Sequence, residues 1–90
     1  MPSEENKEKI LEWAKKTGEK YAKKLREVSE NPDLDLSSEY KKICEEADKK
    51  LDVYFDSHKV EDSRLRNKVG ELVFDENLLK TYNELIEQRR

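Results

Sequence analysis

Between residues 40 and 58, the side chains Tyr40, Ile43, Cys44, Ala47, Leu51, Tyr54, Phe55 and His58 recur at helical spacing, with lysine and acidic residues filling the gaps. Residues so spaced share one face of an α-helix, whose side-chain direction repeats about every 3.6 residues. A strand would need strict alternation, which this stretch lacks. The middle of the chain is thereby committed to a helix with one apolar flank, and that flank must be covered by something.

Two further stripes supply the cover. Ile10, Leu11, Ala14, Gly18, Tyr21, Ala22, Leu25 and Val28 form the first, and Asn31-Pro32 ends it because proline lacks an amide donor and disfavours a helical residue before it. Leu65, Val69, Leu72 and Val73 open the third, which resumes at Leu78, Leu79, Tyr82, Leu85 and Ile86. Ser3, then Ser37 or Ser38, then Asp62 or Ser63 are suited to cap the three starts. The expected helices cover about residues 4–29, 37–58 and 62–88, each about 33 to 40 Å long at the rise of an α-helix. Matched lengths and short connections predict an all-α, antiparallel three-helix bundle.

The third stripe carries an irregularity. Glu76 falls where an apolar residue is due, and Asp75 could cap a restart with Phe74 stapled to Leu79. Against a full break, Leu65, Leu72, Leu79 and Ile86 keep a seven-residue register straight through. The reading favours one long helix, kinked near Gly70 or Asp75, over a break at 70–76 that would create a fourth short helix. Gly18 and Gly70 each lie within a stripe, where glycine costs about 1 kcal/mol relative to alanine, and a close helix crossing would offset that.

Size and composition exclude several classes. Ninety residues make one domain, 1–90, too small for a large enzyme core. Only 33% of residues are hydrophobic and 46% are charged, yet the apolar ones are periodic, which argues for order. A net charge of -3 provides no global field toward nucleic acid or acidic lipid. No apolar run is long enough to span a membrane, and the single cysteine excludes an internal disulfide and fits a reducing, cytoplasmic setting.

The stretch NPDLDLSSEYKKICEE, residues 31–46, places oxygens at Asp33, Asp35 and Ser37 as a calcium loop would. Such a loop needs glycine at its sixth position and glutamate at its twelfth; Ser38 and Cys44 stand there instead. Starting at Asp35 puts Tyr40 at the turn, so that register fails as well. Capping accounts for every residue, and no metal or cofactor is expected. Cys44 and His58, fourteen residues apart on one helix, lie about 21 Å apart along its axis, too far for a nucleophile and its base.

Two surfaces remain. Lys16, Lys20, Lys23 and Lys24, with Tyr21 among them, form the strongest candidate for a polyanion contact, although Glu45, Asp48, Asp52 and Asp56 form an acidic column that would face several of these lysines. Ile10, Trp13 and Thr17 form the best candidate for a protein-binding edge, since tryptophan is a favoured interface anchor. The function expected is therefore a small non-enzymatic interaction module, as an adaptor, an inhibitor or an immunity-like protein, binding a protein partner or a second copy of itself. Two alternatives stand beside it: an engineered bundle with no natural activity, and a weak nucleic-acid binder through Lys15–Arg26.

Overall fold

The computed structural model describes residues 4–89. Among them are three helices and no strand: α1 (Glu4–Ser29), α2 (Leu36–Ser57) and α3 (63–89). The bundle measures 49 × 19 × 17 Å, so it is one helix long and about two helix diameters across. The chain runs up, down and up. Arg26 of α1 lies 3.9 Å from Glu84 of α3, and Arg89 donates to the Ser29 carbonyl at 3.0 Å, which brings the C-terminal ends of α1 and α3 together. α2 runs antiparallel to both.

The caps are set by short polar side chains. Asp35, not Ser37 or Ser38, caps α2: its carboxylate accepts from the Ser37 amide at 3.2 Å and from the Ser37 and Ser38 hydroxyls at 3.2 and 2.9 Å. Both serines thus donate to the cap they were expected to provide. These hydrogen bonds, led by those from the Ser38 and Ser37 side chains, hold Asp35 below the usual carboxylate range. Asp62 caps α3 as expected, accepting from the Arg64 amide at 2.9 Å. Ser3 lies outside the described residues. After α2 the chain turns at Lys59, whose φ of 51° is the left-handed conformation that commonly ends helices.

The core follows the three stripes. Leu25, Val69, Val73 and Leu78 are fully enclosed, joined by Ala14, Tyr21, Ile43, Ala47, Leu51, Phe55, Leu65, Leu72 and Leu85. Leu36 closes one end, and Val60, in the α2–α3 connection, closes the other. Val60 carries no periodic signal, so its burial was not legible from the stripes.

α3 is a continuous right-handed helix, but not a uniform one. Ser63–Gly70 and Lys80–Arg89 are α-helical, while Glu71–Leu79 between them is a π-helix, with one residue more in each hydrogen-bonded turn. Gly70, Glu71 and Lys80 all have right-handed helical dihedrals, so neither a break nor a fourth helix exists. The heptad expected through Leu79 is corrected. Burial passes from Leu72 and Val73 to Leu78, Thr81 and Leu85, while Leu79 is 40% exposed. Val73 and Leu78 are five residues apart, a step that would carry an α-helix about 140° past a full turn. The wider turn absorbs that excess and turns Glu76 outward, so the irregularity at Glu76 is the sequence signature of the π segment.

The two glycines differ. At Gly18 an added Cβ would meet the Asn77 side chain, with Cγ at 2.9 Å, and the Leu72 carbonyl oxygen at 3.0 Å, so α1 and the π segment are in close contact there. Ala14 and Ala22, four residues to either side, extend this low ridge along α1. Gly70 has nothing within 4 Å of the same position, so the close crossing expected there is absent. Gly70→Ala should therefore stabilise the protein by about 0.5 to 1 kcal/mol, seen as a raised urea midpoint with an unchanged slope.

Candidate functional site

At the end of the bundle where α1 begins and α2 finishes, three aromatic rings form a continuous stack. Trp13 lies on Tyr54 with ring centroids 3.6 Å apart and planes 10° from parallel, and Tyr54 lies on His58 at 4.0 Å and 24°. The stack follows from register: Tyr54 and His58 are four apart on α2, and Trp13 meets them from α1. His58 is the C-cap of α2, and its Nδ1 lies 3.1 Å from the Tyr54 carbonyl oxygen, where it donates in the Nδ1–H tautomer. Trp13 and Tyr54 are half-buried and His58 is exposed. Burial raises the Tyr54 hydroxyl above its ordinary pKa, so Tyr54 is neutral at physiological pH.

Beside this stack lies a groove of about 550 Å³. Its floor is apolar, formed by Ile10, Tyr54, Val60 and Leu65, and its rim carries Lys9, Lys59, Glu61 and Asp62. Of the three residues expected at a protein-binding edge, Ile10 lines the groove and Trp13 buttresses it through Tyr54. Thr17 does not join them. It is only 8% exposed, one turn deeper in the bundle, and its side chain is not available to a partner. Tyr54 and Val60 also line the groove without a sequence signal for that role: Tyr54 belongs to the packing stripe by its spacing, and Val60 follows no pattern at all.

The lysine surface is more mixed than the sequence suggested. Lys24 donates to Glu46 across α1 and α2 at 2.8 Å, and Lys16 pairs with Glu12 on its own helix at 3.3 Å. The expected facing column of Glu45, Asp48, Asp52 and Asp56 is thus displaced: the acid that meets α1 is Glu46. Their hydrogen bond raises the Lys24 ammonium and lowers the Glu46 carboxyl, so the pair persists between those two values and is lost as pH falls through the Glu46 pKa or rises through that of Lys24. Lys20, Lys23 and Lys24 line a shallow depression, but Glu27 and Glu46 line it too.

Cys44 belongs to a second aromatic cluster. Tyr40 and Tyr82 stack at 4.2 Å across α2 and α3, and the half-buried Cys44 lies one helical turn from Tyr40 on α2. Burial pushes the Cys44 thiol up and pushes Tyr40 to about 12, so neither ionises at neutral pH. Among the described residues no three potential ligands come together as a metal site, and no helix is long and apolar enough to cross a membrane. Compared with protein-family models, curated proteins and solved structures, the chain shows no match.

Proposed function

We propose that this chain is a non-enzymatic protein-interaction module that receives the apolar face of a partner helix in the groove beside the Trp13–Tyr54–His58 stack. The observation that carries this reading is the combination of an apolar floor with a charged rim of both signs, the composition of recognition surfaces that seat an amphipathic helix. The rigid aromatic stack supports it further, since ordered rings lose little freedom on binding. A non-enzymatic role is supported by the separation of the one thiol from the one imidazole along α2, and by the neutral state of Cys44. The π segment and its glycine notch depart from idealised helix geometry, which supports a natural origin over an engineered one.

A peptide-display library of amphipathic helices tests this reading. Selection on the wild-type chain should enrich peptides with apolar residues at i, i+3 or i+4, and i+7. Those peptides should bind about tenfold or more weakly to Ile10→Ser and Trp13→Ala, while circular dichroism shows that both variants remain folded. Enriched peptides that bind all three proteins equally, or no enrichment, would remove the groove as a binding site. Light scattering across protein concentration covers the case of a second copy as occupant: a dimer that Ile10→Ser dissolves would identify it. The mixed lysine surface gives less support to polyanion binding, and a labelled DNA titration at low salt that showed no complex would dispose of it.

A further inference from the structure

Residues 63–89 carry two apolar stripes that share Leu65 and Leu72 and diverge beyond them. Leu65, Leu72, Leu79 and Ile86 form the stripe of a straight α-helix. Leu65, Val69, Leu72, Val73, Leu78 and Leu85 form the stripe that the π segment brings inward. The second half of α3 is written in apolar doublets, Leu78-Leu79 and Leu85-Ile86, so each core layer has a hydrophobic residue to offer in either register. In the present register Leu78 is buried while Leu79 is 40% exposed, and Leu85 is buried while Ile86 is half-buried.

One contact selects between them. The Asn77 side-chain amide donates to the Leu72 carbonyl, five residues back, across the widened turn. Asn77 is accommodated there because Gly18 has no side chain: a Cβ at Gly18 would collide with the Asn77 amide and press on the same carbonyl. In a straight α-helix Asn77 would rotate away from α1, the side-chain bond would be lost, and Glu76 would turn toward the bundle. The cost of an inward Glu76 favours the π register, and the Gly18–Asn77–Leu72 contact fastens it.

We infer that the π segment is a register switch, and that Gly18 and Asn77 form its latch. With the latch closed, Leu79 faces solvent. With it open, residues 80–89 turn about the helix axis as one body, Leu79 and Ile86 enter the core, and Leu78 and Leu85 take their place at the surface. The bundle thus holds two alternative leucine surfaces on one helix, and any ligand that binds one of them better shifts the population toward it. π segments within α-helices are rare and recur at functional sites, consistent with a segment kept for its ability to convert.

Thiol labelling reads the switch directly. In a Cys44→Ser background, Leu79→Cys and Leu85→Cys each place one reporter thiol on α3. With the latch intact the thiol at position 79 should react with a maleimide about tenfold or more faster than that at 85. Adding Gly18→Ala should reverse this order. Asn77→Ala, which removes the hydrogen bond without filling the notch, should bring the two rates toward each other. Position 79 staying the faster in both latch variants would overturn the inference. So would loss of the folded state in both, because a switch requires that the second register fold.

Discussion

Leu78→Ala will destabilise the bundle by about 2 to 5 kcal/mol, and the neighbouring Leu79→Ala by about 1 kcal/mol or less, in urea titrations followed by helical circular dichroism. Leu78 is completely enclosed, so truncation removes its transfer energy and leaves a cavity in the core. Leu79, 40% exposed, gives up only part of its contact area. A straight helix with the heptad Leu65, Leu72, Leu79, Ile86 demands the opposite ranking, so one pair of measurements decides whether the five-residue step exists in solution. The alternative register limits the larger loss, because a chain without Leu78 recovers an apolar contact by turning Leu79 inward. A value toward the lower end of the range, with position 79 newly protected, is the signature of that escape.

The contrast shows what the sequence made legible. The end of α1 and both ends of α2 were legible almost to the residue because their stripes are regular and their boundaries carry strong signals, Pro32 after α1 and a run of short polar side chains before α2, although the capping residue is Asp35 and not Ser37 or Ser38. In α3 the existence and length of the helix were legible, and so was the anomaly at Glu76, but its meaning was not. A five-residue step reads from sequence alone as an interrupted four-residue one. The deciding information lay far off in the sequence, in Gly18 on α1, which leaves room for Asn77. Periodicity is local, whereas the choice between two apolar stripes of one helix is made by its neighbour.

The groove end of the bundle was legible in part for a related reason. Trp13 and Ile10 stood out as large apolar side chains at the edge of a stripe, and both belong to the groove end of the bundle. Thr17 was grouped with them by helical spacing, but the approach of α3 to α1 near Gly18 buries it. The lysine column was displaced because facing charges depend on how two helices are rotated against each other. Sequence spacing fixes which residues share a face; it leaves open which face of the partner they meet. Lys24 and Glu46 are joined by that rotation.

Phe55→Ala is expected to cost about 3 to 5 kcal/mol, comparable to the loss of Leu78, although Phe55 sits at the end of the bundle and not at its centre. Its ring is buried, and the Arg66 guanidinium lies 5.2 Å above it. The Phe55 carbonyl accepts from the Val60 amide at 2.9 Å, and Arg66 donates through Nε to the Val60 carbonyl, so ring, backbone and guanidinium together fasten the α2–α3 connection. Truncation empties the space that seats Arg66 and loosens Val60, which forms part of the groove floor. Phe55→Leu keeps most of the volume and should avoid most of the loss, whereas Arg66→Lys keeps the charge, gives up the Nε donor to the Val60 carbonyl and the planar fork, and should loosen the connection. A thermal melt of the three variants, with the near-ultraviolet signal of the adjacent Trp13–Tyr54 stack followed in parallel, separates the two contributions. Loss of stability with an intact aromatic signal would place the fault in packing alone. Loss of both would show that Phe55 also maintains the geometry of the groove, in which case the groove is only as ordered as the connection beneath it.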